Sequence, residues 1–214
     1  MLNLNNVPSD DNNREFELIP DGTIVRAIIK LEGGTTELPE FGAGTFFRVS
    51  QQTNSKWLPM ELTIVGGNFD KRKIWQSIFV DGTKISEKTG MPIAKEIGLR
   101  TMKSIIDSAF NLDPKDQSEA SQQKRNLQGV SQLNGMEFCF KVGIEKGTNG
   151  YKDQNKIKVV LTPDMNGFIA GSPTQSVSAS APPMQQPVAT QAAPQQTATA
   201  GVVPSWANNQ GGTQ

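Results

Sequence analysis

Apolar positions recur at two different spacings along this 214-residue chain, and the switches between them mark out its elements. Residues 23–31 alternate. Val25, Ala27, Ile29 and Leu31 fall on one face, and Ile24, Arg26, Ile28 and Lys30 on the other, the pattern of a strand with two partly used faces. Residues 32–44, rich in Gly, Thr and Pro, read as a loop. Alternation returns over 57–65, with Leu58, Met60, Leu62 and Ile64 toward a core and Trp57, Glu61 and Thr63 opposite. Gly66-Gly67-Asn68 is a hairpin signal. The next run, 71–80, places Ile74, Ile78 and Val80 on one face and Lys71, Lys73, Trp75 and Phe79 on the other.

After Asp81-Gly82 the period becomes helical: Ile97, Met102, Ile105, Ile106, Ala109 and Phe110 form one stripe, with Lys103, Ser104, Asp107 and Ser108 outside it. Asp113-Pro114 ends that helix. Residues 115–128 are nearly all polar and read as a solvated helix or a connection. From Gly135 on, Met136, Phe138, Phe140, Val142 and Ile144 hold strict period two. A last strand carries Ile157, Val159 and Leu161 on one face and Lys156 and Lys158 on the other.

Three strands, a helix and a two-stranded hairpin predict a mainly-β fold: a five-stranded OB-like barrel with one helix between strands three and four. An SH3-like barrel or a small sandwich is the nearest alternative. Composition sets the boundaries. Every Asp, Glu, Lys and Arg lies at or before Asp164, and residues 165–214 are mostly Gln, Ala, Pro, Ser, Thr and Gly. Such a segment cannot bury enough apolar surface to offset its ordering entropy. The expected organisation is a flexible arm over 1–13, the barrel domain over 14–164 and a disordered tail over 165–214.

Charge adds a local picture to a neutral total of 21 basic and 21 acidic residues. Up to Glu40 there are eight acids and three bases, so the remainder of the domain is modestly basic. The chain contains no His, which removes the usual general base, the Ser-His-Asp arrangement and the common zinc sites. Neither GxxxxGK[ST] nor GxGxxG follows a strand, and the carboxylates are scattered, so a metal-dependent nuclease stays a remote option. The expectation is a protein that is not an enzyme and needs no cofactor. Cys139 is a lone thiol in an apolar run and reads as buried. No secretory signal opens the chain, and no apolar run approaches the roughly 20 residues that span a bilayer, which points to a cytoplasmic protein with no membrane partner.

The positive signal is aromatic and basic residues sharing a β-surface, the combination that stacks bases and tracks a phosphate backbone. Arg48, Lys56 and Trp57 lead into the second strand. Lys71, Arg72, Lys73, Trp75 and Phe79 lie on the third, and Tyr151, Lys152 and Lys156 on the last hairpin. Each has a plainer reading: Trp75 and Phe79 as core under the helix, and the Lys71–Lys73 run as a solvated hairpin edge that discourages aggregation. Near the end, Val202, Val203, Pro204 and Trp206 gather apolar surface after a polar linker and make Trp206 a candidate partner-binding tip.

The succession PDGTIVRAII, LTIVGGNFDKRKIWQSI, LRTMKSIIDSAF, LNGMEFCFKVGIEK and GYKDQNKIKVV, with PSWANNQ at the tip, resembles a group of phage and prophage proteins encoded among recombination genes. The resemblance implies single-stranded DNA as the partner, in phage-type replication or recombination, in a bacterial host cytoplasm. Bacterial and phage proteins of that function usually end in an acidic tip; this tail carries no acid, so recruitment by such a tip is not implied. Replication or recombination proteins reached through the tail, and further copies of the chain, are the other partners considered. A non-catalytic scaffold or adaptor whose tail recruits partners is the alternative function.

Overall fold

The computed structural model describes residues 17–148 and 150–171, all within the compact unit Met1–Ser176. Most of the expected tail, with Trp206, and the arm 1–13 lie outside the described residues. The strands are β1 (Ile24–Leu31), β2 (Arg48–Val49), β3 (Lys56–Ile64), β4 (Lys73–Asp81), β5 (Glu137–Glu145) and β6 (Gln154–Val160). Two helices, α1 (Ile93–Ala109) and α2 (Glu119–Arg125), stand between β4 and β5. No helix among the described residues is long and apolar enough to cross a membrane.

One antiparallel sheet holds all six strands. β3 pairs with β4 along nearly its whole length, and its other edge takes β2 and then β1. β1 pairs with β5, and β5 with β6. Two features depart from the expected five-stranded barrel with one helix. The two-residue β2 and the short α2 are additions. The sheet also does not close by a ladder, because the two bonds crossing from β6 to β4 use side chains. Ile157 N–H donates to the Gln76 side-chain carbonyl at 3.1 Å, and Lys156 Nζ donates to the Trp75 carbonyl at 2.8 Å. Each side chain holds the strands apart by its own length.

The core follows the alternation. Val25, Ala27 and Ile29, then Leu58, Met60, Leu62 and Ile64, then Ile74, Ile78 and Val80, then Phe138, Phe140 and Val142 all point inward and are buried. The expected face of β6 is different: Val160 is buried, whereas Val159 is 39% exposed. Val142 pairs with Ile157 and Lys141 with Val159, so Lys158 is an extra residue that turns Val159 outward and Val160 inward, whereas Leu161, just past the strand, is buried as expected.

Helix α1 buries Met102, Ile105, Ile106 and Ala109 as its spacing predicts. Ile97 is 58% exposed instead of core, and Asp107 and Ser108 are buried instead of solvated. Both buried polar residues are satisfied. Ser108 Oγ accepts from Cys139 N–H at 2.9 Å and fastens α1 to β5. Asp107 takes Lys103 Nζ and Arg125 Nε, each at 2.6 Å. Arg125 also donates to the Asp113 and Asp116 carbonyls, so the polar segment after α1 is pinned as α2 rather than left loose. Cys139 is buried as expected, and burial pushes its thiol pKa up.

Gly98 explains the tilt of the α1 stripe. A Cβ there would sit 2.1 Å from the Phe79 carbonyl oxygen, so only glycine lets the helix meet the β4 backbone. In an exposed helix Gly→Ala gains about 1 kcal/mol. Here Gly98→Ala is expected to cost about 1–3 kcal/mol, the range for overpacking. Urea unfolding of the two proteins checks this, and a stabilised variant would show that α1 does not press on β4. Arg125→Met removes one of the two cations on buried Asp107 while Lys103 stays, and is expected to cost about 1.5–3 kcal/mol in the same measurement.

Candidate nucleic-acid interface

Pairing of β3 with β4 decides which side chains share the outer face. Trp57 stands opposite Phe79, Pro59 opposite Ser77, Glu61 opposite Trp75, and Thr63 opposite Lys73. On the far side of β3, Lys30 of β1 is opposite Glu61 and Ile28 opposite Thr63. Because Ile74, Ile78 and Val80 face the core, Trp75 and Phe79 must face out. They are 53% and 48% exposed, which settles the choice between core and surface left open by the sequence. The rings of Trp57 and Phe79 lie 5.8 Å apart, tilted by 43°, as one aromatic unit. Trp75 is four residues from Phe79, or about 13 Å along the strand.

Beside this face a groove of about 730 Å³ follows the seam between β4 and β6. Trp57, Ser77 and Phe79 form one wall, and Glu145, Lys156 and Lys158 are on the other. Phe79 shares this face with Trp75, as their period-two spacing indicates. Lys30 and Lys158 are the members of this surface that were not singled out as site residues: each falls on the polar face of its strand, and nothing else in the sequence marks it.

The basic candidates are less free than their number suggests. Lys56 Nζ donates to Asp81 at 2.6 Å, Lys73 lies 3.0 Å from Glu61, and Arg48 lies 3.6 Å from Glu32. Lys56 holds the Asp81 carboxyl below the usual carboxylate range, with the Gly82 N–H adding to the effect and burial opposing it. Lys158 pairs with Asp21 at 2.6 Å. Lys156 is committed to the Trp75 carbonyl and is 3.9 Å from Glu145. Arg72 donates to the Glu17 carbonyl at 2.7 Å. Lys71, in the β3–β4 turn with φ 64°, and Lys30 are exposed and make no ion pair among the described residues. Exposed ion pairs such as Lys158–Asp21 contribute only about 0–1 kcal/mol, so a phosphate can replace that carboxylate at little cost, whereas Glu61 is buried and holds Lys73 more firmly.

Tyr151 and Lys152 lie in the β5–β6 connection, both exposed, and neither is a wall of the groove. The structure therefore gathers Trp57, Lys73 and Trp75 on one face, with Arg48 and Lys56 at its β2 end, Lys71 and Arg72 in its turn and Lys156 across the seam. Tyr151 and Lys152 lie in the connection of the β5–β6 hairpin and do not line the groove. Trp206 lies outside the described residues.

No protein-family model matches this chain, and a comparison with curated proteins likewise finds no match.

Proposed function

We propose that this chain is a non-enzymatic, sequence-tolerant single-stranded-DNA-binding protein acting in phage-type replication or recombination. The observation that carries the reading is the pair of large aromatic side chains, Trp75 and Phe79, held out to solvent on a paired β-surface with Trp57 beside them. Large exposed rings gathered on one strand face are a feature of binding surfaces. Flat rings with basic side chains alongside are what unpaired bases and their phosphates require. An OB-like architecture fits the strand order β4-β3-β1-β5-β6, the helices between β4 and β5, and the side-chain bonds that bring β6 to β4. The choice of DNA and the phage setting come from the family resemblance.

Trp75→Ala and Phe79→Ala are expected to weaken binding of a labelled oligothymidine by about 1–3 kcal/mol each with little change in melting temperature. Trp57→Ala should not add fully to Phe79→Ala, because the two rings touch. Fluorescence anisotropy against RNA and duplex competitors, with the oligonucleotide recovered intact after incubation with Mg²⁺, tests the ligand and the absence of cleavage together. Unchanged affinity in folded Trp75→Ala and Phe79→Ala would remove the stacking site. Tighter binding to RNA would reassign the ligand.

The lysines divide by their partners. Lys30→Met and Lys71→Met should each flatten the plot of log affinity against log salt by about 0.7, the value for one lost contact with a single strand. Lys156→Met should leave that slope unchanged and instead lower the melting temperature, because its ammonium is spent on the Trp75 carbonyl. A reduced slope for Lys156→Met would return that residue to the phosphate track.

A further inference from the structure

The seam groove does not stop at Phe79. A second trough, of about 600 Å³, opens between α1 and β6, and it shares Gln76, Ser77, Phe79, Ile157 and Lys158 with the first as walls. Beyond Phe79 its lining changes character. Ile97, Val159 and Met165 stand exposed along it, and Thr101 and Arg100 of α1 edge it.

Two of these exposures, those of Ile97 and Val159, have a structural cause. Gly98 packs on β4 and turns Ile97 outward, and the extra residue Lys158 turns Val159 outward. The trough therefore has an apolar floor with one cation on each side, Arg100 from the helix and Lys158 from the strand. Arg100 is ion-paired to Glu96 on its own helix and Lys158 to Asp21, both at the surface, where exchange with a phosphate costs little.

We infer that the bound single strand continues past Phe79 into the trough between α1 and β6, where it places further bases on Ile97, Val159 and Met165 and phosphates beside Arg100 and Lys158. The inference rests on the nucleic-acid reading of the β3–β4 face and extends it. Continuity selects this occupant. The two troughs have Phe79 and Lys158 in common, so a strand stacked at Phe79 already lies at the mouth of the second. The alternating lining, apolar floor and paired cations, also matches a chain of bases and phosphates better than a uniformly apolar peptide.

A length series tests it with the full chain. Oligothymidines of about 4 to 16 nucleotides, the range of site sizes known for single OB domains, are titrated by anisotropy against wild type, Ile97→Glu, Arg100→Glu and Phe79→Ala. Ile97 and Arg100 are exposed, and the like-charge pair that Arg100→Glu makes with Glu96 costs a helix only about 0.2–0.5 kcal/mol, so folding is expected to survive and circular dichroism verifies it. Wild-type affinity should rise with length in two stages. Ile97→Glu and Arg100→Glu should keep the short-oligomer affinity and lose about tenfold on the longest, roughly the worth of one stacked base. Phe79→Ala should weaken binding at every length.

Equal affinities of wild type and Ile97→Glu at every length would overturn the extension while leaving the first site standing. No binding of any oligomer by wild type would overturn both. Sedimentation of the same samples covers the other occupant: a wild-type dimer that becomes monomeric in Ile97→Glu, with unchanged oligomer affinity, would make the trough a contact between copies and refute the strand path.

Discussion

The full-length pairing of β4 with β3 is the constraint on which the candidate surface depends. Strand side chains alternate without exception unless a residue is added, and β4 has none added between Lys73 and Phe79. Burial of Ile74, Ile78 and Val80 in the shared core therefore leaves Trp75 and Phe79 no inward position. Slipping the register by one would bury Lys73, Trp75 and Phe79 and expose three core residues, an exchange far costlier than exposing two rings. The aromatic surface is thus maintained by the core behind it, and no local interaction of the rings is needed to hold them out.

The seam follows from the other edge of β4. A ladder to β6 would draw the two strands to about 4.8 Å and leave no room between them. Gln76 and Lys156 bond across with side chains instead, which satisfies part of each edge while keeping the strands apart. The same choice produces the groove. It also couples the two halves of the surface, since Lys156 is anchored on the backbone of the residue whose ring, Trp75, stands on the neighbouring face. A change at β6 is felt at Trp75 through one hydrogen bond.

Where the sequence was readable, a single periodicity governed the outcome. β1, β3, β4 and β5 each carry one clean apolar stripe, and their inward residues are those the spacing named. β6 departs from its stripe at Val159 because an added residue leaves no mark in a list of apolar positions: Ile157, Val159 and Leu161 look as regular as any other run, and of the three Leu161 is buried. The α1 stripe drifted for a different reason. Asp107 and Ser108 are inside because Lys103, Arg125 and Cys139 meet them there, and only the folded chain brings Cys139 to Ser108, 31 positions away. The same blindness affected the lysines. Their positions were legible, but Lys158 pairs with Asp21 across 137 positions and Lys156 meets the Trp75 carbonyl across 81. A count of basic residues therefore overstated the free positive charge.

That overstatement bears on how the proposed site would work. Were the lysines unpaired, a polyanion would be drawn in chiefly by charge, and any polyanion, duplex included, would serve. With Lys56, Lys73 and Lys158 each facing a carboxylate, the charge gained from a phosphate is offset by the carboxylate released, so little net attraction remains for the backbone alone. What then distinguishes ligands is whether a planar base is available to the rings of Trp57, Phe79 and Trp75. A duplex keeps its bases stacked inside and offers none, whereas a single strand offers one at every step. Neutralised lysines beside exposed rings would thus turn a surface that otherwise binds anions indiscriminately into one that favours unpaired bases, on a chain whose charges sum to zero.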